Sequence, residues 1–70
     1  MSEKIDFREL NNEYKGKRIR LLQMKDDPYP VQDGTEGTIL NVDDAGTIHV
    51  EWDNGRLLGV IIGIDRYMVL

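Results

Sequence analysis

Gly46-Thr47-Ile48-His49-Val50-Glu51-Trp52-Asp53-Asn54-Gly55 is the stretch on which the fold turns. Within it Ile48, Val50 and Trp52 alternate with Thr47, His49 and Glu51. Successive side chains of a strand point to opposite faces, so the alternation predicts a half-buried strand over Thr47–Trp52 with its apolar set turned to a core. Asn54-Gly55 follows, and this dipeptide favours a two-residue turn of the kind that needs positive φ at both central positions. The register expected from such a turn places Asp53 beside Arg56 and sends a fourth strand from Arg56 to Ile62, apolar almost throughout, with Gly59 permitting a kink. On the N-terminal side, Asp44-Ala45-Gly46 makes a short connection with a glycine for a left-handed position, as in a bulged hairpin.

Outward from this hairpin the pattern stays one of strands and turns. A second strand runs from about Gly37 to Asp43 through Thr38, Ile39, Leu40 and Val42. Before it lies a loop from Lys25 to Glu36, punctuated by Pro28, Pro30 and Gly34, in which each proline holds the preceding Asp27 or Tyr29 extended. A first strand, Lys17 to Met24, sets Ile19 and Leu21 against Arg18, Arg20 and Gln23, and then Leu22 and Met24 shift the phase. A phase shift inside a strand predicts a bulge or a strong bend. Gly63-Ile64-Asp65 reads as a tight turn, and Tyr67 to Leu70 as a last short strand.

The beginning of the chain differs. Asp6 is placed to cap a short helix with Glu9 as its capping-box partner, and Phe7, Leu10 and Tyr14 recur at helical spacing until Gly16 breaks the run. The expected organisation is therefore a helix or arm over 1–15 and a barrel over 16–70. The expected fold is all-β, a small five-stranded SH3-like barrel with that short N-terminal helix or arm. A short twisted sheet covers one core by curling over it, and closing it removes exposed edges. An OB-fold comes second, because it carries a helix between strands three and four where this chain has only a turn.

Size and composition narrow the function. Seventy residues make one domain, and a chain so short buries only about 60% of its unfolded surface. Cysteine is absent and histidine occurs once, so neither a disulfide framework nor the usual zinc ligand sets are available. Stability must come from strand pairing or self-association, which leaves a monomer or a weak homodimer. No apolar run approaches the roughly 18 residues of a membrane span, and Met1-Ser2-Glu3-Lys4 leads into no signal-type apolar segment. A cytoplasmic protein is the expectation.

Two stretches, Met24-Lys25-Asp26-Asp27-Pro28-Tyr29-Pro30 and Gly46 to Gly55, together with Gly37-Thr38 and Gly63-Ile64-Asp65, resemble an uncharacterised family of small bacterial and phage domains found among mobile-element genes. The likeness covers roughly residues 16 to 70. The hairpin is also similar to SH3-like modules such as the Mib–Herc2 and KOW domains. The resemblance implies the barrel fold and a bacterial host cell. It does not carry a ligand across: a proline-rich-peptide reader needs a patch of exposed aromatics, and a KOW-type reader needs more basic charge.

The candidate site residues follow from charge and exposure. The chain carries a net charge of −4, and eight acids lie between Asp26 and Asp53 with no lysine or arginine among them. The basic cluster is Lys15, Lys17, Arg18 and Arg20, and these are the residues to which a nucleic-acid phosphate would bind. A protein partner would instead meet the long loop at Asp26, Asp27, Tyr29 and Asp33, with the proline-bracketed ring of Tyr29 as its centre. The ring's other place is inward, across Met24 or Trp52, as a plug at one end of the barrel. Asp26, Asp27, Asp33 and Glu36 match no calcium-loop spacing. His49 falls on the outer face of its strand with no Ser or Cys nearby to activate, while Trp52 shares the phase of Val50 and belongs to the core. No catalytic set, metal or cofactor is therefore expected. The first expectation is a non-enzymatic module that binds a protein. The alternatives are a nucleic-acid accessory module, or an acidic mimic that inhibits a host defence protein.

Overall fold

A computed structural model describes residues 6–25 and 27–70. One helix, α1 (Phe7–Tyr14), precedes five strands: β1 (Arg18–Gln23), β2 (Glu36–Val42), β3 (Thr47–Trp52), β4 (Leu57–Ile61) and β5 (Arg66–Val69). All five join one antiparallel sheet in the order β4-β3-β2-β1-β5, so the last strand returns to pair with the first. The fold is all-β apart from the single helix, as the sequence pattern requires.

β3 behaves as its alternation dictates. Ile48, Val50 and Trp52 are buried, and the Trp52 indole donates to the Leu58 carbonyl at 2.9 Å, so its one polar atom is met inside the core. Ile19, Leu21, Ile39, Val42 and Val60 complete the strand contribution to that core. The phase shift in β1 is a bulge: the pairing with β5 slips between Leu21 and Gln23, which turns Leu22 out to solvent. β2 holds a second bulge between Ile39 and Asn41, where Leu40 is the extra residue and is exposed. The same kind of signal, Ile39 and Leu40 in succession before Val42, stands in the sequence.

The turn after β3 corrects the expected register. Gly55 N donates to Trp52 O, and Trp52 N donates to Arg56 O, both at 2.9 Å. The loop is thus Asp53-Asn54-Gly55, and Trp52 rather than Asp53 faces Arg56. A three-residue loop asks for a left-handed residue only at its last position, and Gly55 supplies it at φ 90°. The Asn54 carboxamide oxygen accepts the Arg56 N–H across the loop. The connection before β3 is built the same way, with Gly46 at φ 88° and Asp43 O accepting the Gly46 N–H.

α1 forms where the cap and the apolar stripe predict it. Asp6 Oδ1 accepts the N–H groups of Arg8 and Glu9, which would otherwise be unmet at the helix start. Phe7, Leu10 and Tyr14 pack against the core. Asn11 Oδ1 accepts the Val42 N–H at 2.7 Å, tying the helix to the end of β2. Residues 1–5, the start of the expected N-terminal arm, lie outside the described residues.

The long loop departs most from its sequence reading. It is no surface excursion throughout, because Val31 is buried in the core. Asp65, only 7% exposed, stands beside the end of β1 and braces the loop: Oδ1 accepts Lys25 N–H at 2.8 Å and Oδ2 accepts Ile61 N–H at 2.9 Å. One carboxylate therefore joins the start of the loop to the turn between β4 and β5.

Candidate functional site

Tyr29 is the most exposed large apolar side chain among the described residues, at 77%. Its backbone is nonetheless fixed from three sides. Asp27 Oδ1 accepts the Tyr29 N–H at 2.8 Å, an Asx turn with Pro28 at its corner. The Arg56 guanidinium donates to the Tyr29 carbonyl at 2.6 Å, pinning the loop to the foot of β4. Two residues further on, Val31 enters the core. The two places open to this ring by sequence were a plug in one end of the core and an exposed anchor. It is exposed.

The companions expected of Tyr29 are distributed unequally. Asp27 serves the turn that presents the ring, and Asp33 is exposed in the turn before Gly34. Gly34 N–H donates to Leu21 O, and Leu21 N–H donates to Thr35 O, so the returning limb of the loop is already paired with β1. Asp26 lies outside the described residues. Arg56, which sequence reasoning did not single out, is the missing member. Its signal was absent because the contact spans from Tyr29 to the far hairpin, and no local pattern announces it.

The basic cluster is divided by its pairings. Arg18 and Arg20 share the outer face of β1, as alternation requires, but neither is free. Arg18 meets both carboxylate oxygens of Asp53 in a fork, with Nη1 to Oδ1 at 2.9 Å, and also donates to Thr38 Oγ1. Arg20 donates to Glu36 Oε2 at 2.9 Å. The Arg18 fork holds the Asp53 carboxyl below the usual carboxylate range and raises the guanidinium's own pKa. Lys15 and Lys17 are exposed and have no ion pair among the described residues.

His49 stands on the outer face of β3, as expected, and it is half-exposed. Its Nε2 lies 2.8 Å from Asp43 Oδ2, while Asp43 Oδ1 accepts the N–H groups of Ala45 and Thr47. Those backbone bonds, that of Thr47 first, and then the His49 contact hold the Asp43 carboxyl below its ordinary range. The pair is a brace across the β2–β3 turn, and no nucleophilic side chain joins it.

A shallow groove of about 200 Å³ lies on the same face. Leu40, His49, Leu57 and Gly59 are among its walls. Gly59 is one part of the groove's wall, and Thr47 explains why only glycine fits there: a Cβ at Gly59 would stand 2.5 Å from Thr47 Cγ2. The kink expected at Gly59 is thus a close approach between neighbouring strands.

The family model described as Domain of unknown function (DUF4314) matches residues 3–70, and the chain belongs to that family. No curated protein and no solved structure matches it.

Proposed function

We propose that this chain is a non-enzymatic binding module that recognises a protein through the Asp27–Asp33 loop, with Tyr29 as the anchor. The observation that carries the reading is an exposed aromatic ring on a backbone held by Asp27, Arg56 and the buried Val31. Ordering a loop on binding costs free energy, and a loop already fixed avoids most of that cost. Tyrosine supplies a large amphipathic contact with few torsions to freeze, which is why it dominates interface anchors. Asp27, whose carboxylate accepts the Tyr29 N–H, sets negative charge beside the ring and favours a partner with a basic residue next to its apolar contact.

An SH3-like barrel is the finer fold we infer, supported by the return of β5 to β1 at the end of a meander. The resemblance to small phage and mobile-element domains supports a cytoplasmic setting in a bacterial host. Phosphate recognition by Arg18 and Arg20 is the weaker reading, because it must first break their pairs with Asp53 and Glu36.

Tyr29→Ala tests the proposal. The melting temperature should barely move, because Tyr29 is 77% exposed, while capture of the partner from a host lysate falls tenfold or more, about 1.4 kcal/mol. Undiminished capture by a folded Tyr29→Ala variant would remove the anchor and with it the proposed surface.

A further inference from the structure

β4 ends the sheet order, and its residues Leu57-Leu58-Gly59-Val60-Ile61 carry neither charge nor proline. Exposed edges are ordinarily guarded by one or the other, because unpaired N–H and C=O groups recruit further strands. The bonds Trp52 N–H to Arg56 O and Ile62 N–H to Gly46 O show that β4 pairs with β3 through its even-numbered positions. In an antiparallel ladder the intervening residues, Leu57, Gly59 and Ile61, then aim their backbone groups away from β3. Ile61 is closed off: its N–H goes to Asp65 Oδ2, and its carbonyl accepts from Ile64 and Asp65. Leu57 and Gly59 have no such cover among the described residues.

The side chains at these two positions are complementary to each other. Leu57 is 69% exposed and stands out from the outer face. Gly59, next on the same face, leaves the hollow beside His49 and Leu40.

We propose that β4 is a self-association edge, on which a second copy of this chain adds antiparallel with Leu57 opposite Gly59 of the second copy and the reverse. The two-fold axis then passes beside Leu58. Every outward N–H and C=O of Leu57 and Gly59 finds a partner, and each Leu57 side chain settles over the other copy's glycine hollow. Such a contact is isologous, since knob and hole occur on one patch and exchange under the rotation.

Charge favours a second copy here and disfavours it over the acidic surface. The chain is net −4, so most faces of two copies would set acid against acid, whereas Leu57 to Ile62 bear no charge. In this register Arg56 comes opposite Val60, and the two Arg56 side chains stand at opposite ends of the contact. The Asp65-braced turn bounds the pairing at one end, and the Asp53–Gly55 tip bounds it at the other. The contact is short and falls below the roughly 1,200 Å² of a stable complex, so the dimer is weak and concentration-dependent. The inference rests on the edge alone and stands or falls apart from Tyr29.

Sedimentation equilibrium of the full chain from about 10 μM to about 1 mM, a span covering weak affinities, reads the result directly. The wild type should pass from monomer toward dimer. Leu57→Lys, at an exposed position and with the fold checked by its melting temperature, should remain monomeric throughout. In the wild type, exchange of the Leu57 and Gly59 amide protons should slow as concentration rises. A monomer at every concentration overturns the proposal, and that is also the outcome if the edge serves a foreign strand. So does a dimer that Leu57→Lys leaves intact, or one in which those two amides gain no protection.

Discussion

The outer face of the sheet has two halves of opposite character. On β1 and β2, Arg18 and Arg20 reach Asp53 and Glu36, and Thr38 takes a further guanidinium bond, so each charge there has its opposite within contact. On β3 and β4, Leu57 and Ile61 stand exposed, and Leu40 from the β2 bulge joins Leu57 around the Gly59 hollow, with His49 already turned to Asp43. The half that looks reactive by composition is closed on itself. The half that looks inert, a run of aliphatic residues, keeps backbone and side-chain surface open. Cross-strand neighbours decide what a surface has left to offer, and charge counted along the chain does not.

Gly59→Ala gives the largest effect with which to break this contrast. The added Cβ meets Thr47 Cγ2 at 2.5 Å, so the Thr47 side chain or its strand must shift. Overpacking of this kind costs about 1–3 kcal/mol, read from urea denaturation. Adding Thr47→Ser removes the methyl group and should restore most of the loss. A Gly59→Ala variant as stable as wild type would mean that the hollow is roomier than the close approach of Thr47 implies.

The open half also marks where sequence reasoning reached and where it stopped. β3, the Asp6 cap, the β1 bulge and the burial of Trp52 were legible because each is written in neighbouring residues. Asp65 was not, because its partner Lys25, 40 residues away, is brought to it by the fold. The same holds for the Arg18–Asp53 fork, which spans from the first strand to the tip of a later hairpin. For Tyr29 exposure was foreseen as one of two outcomes, since two prolines constrain the loop locally. Its anchorage by Arg56 depended on a long-range contact and was not foreseen. The one-residue error at Asn54-Gly55 has the same origin in reverse. The dipeptide is compatible with two turn lengths, and the pairing of β3 with β4 chooses between them.

Gly55→Val sharpens the contrast next, because its turn carries Asp53 across to Arg18 and so links the halves. A β-branched residue at φ 90° is strained by about 1–2 kcal/mol. A stability loss of that size is expected, together with a loosened Asp53 that weakens the Arg18 fork. Unchanged stability would show that the three-residue loop does not depend on its left-handed glycine.

The smallest effect concerns the closed half and is read from pH. Arg18 holds the Asp53 carboxyl below its ordinary range, first through the hydrogen-bonded fork and then through charge. A carboxyl whose pKa is lower folded than unfolded adds stability above its unfolded value, near 3.9, and that stability is lost as pH falls through the folded value. Asp43 titrates in the same direction, but its N–H donors and His49 are untouched by Arg18. Wild type should thus exceed Arg18→Ala in stability at pH 5 to 6, with the gap closing as pH falls below about 4, since the Asp53 share disappears while the Asp43 share is common to both. Because the pair is open to solvent, the gap should also narrow with added salt. Thermal melts of both proteins from pH 6 down to pH 2, at low and high salt, measure it. A gap that stays constant across that range would mean that Arg18 acts through packing on β1, and the closed half would no longer owe its character to charge.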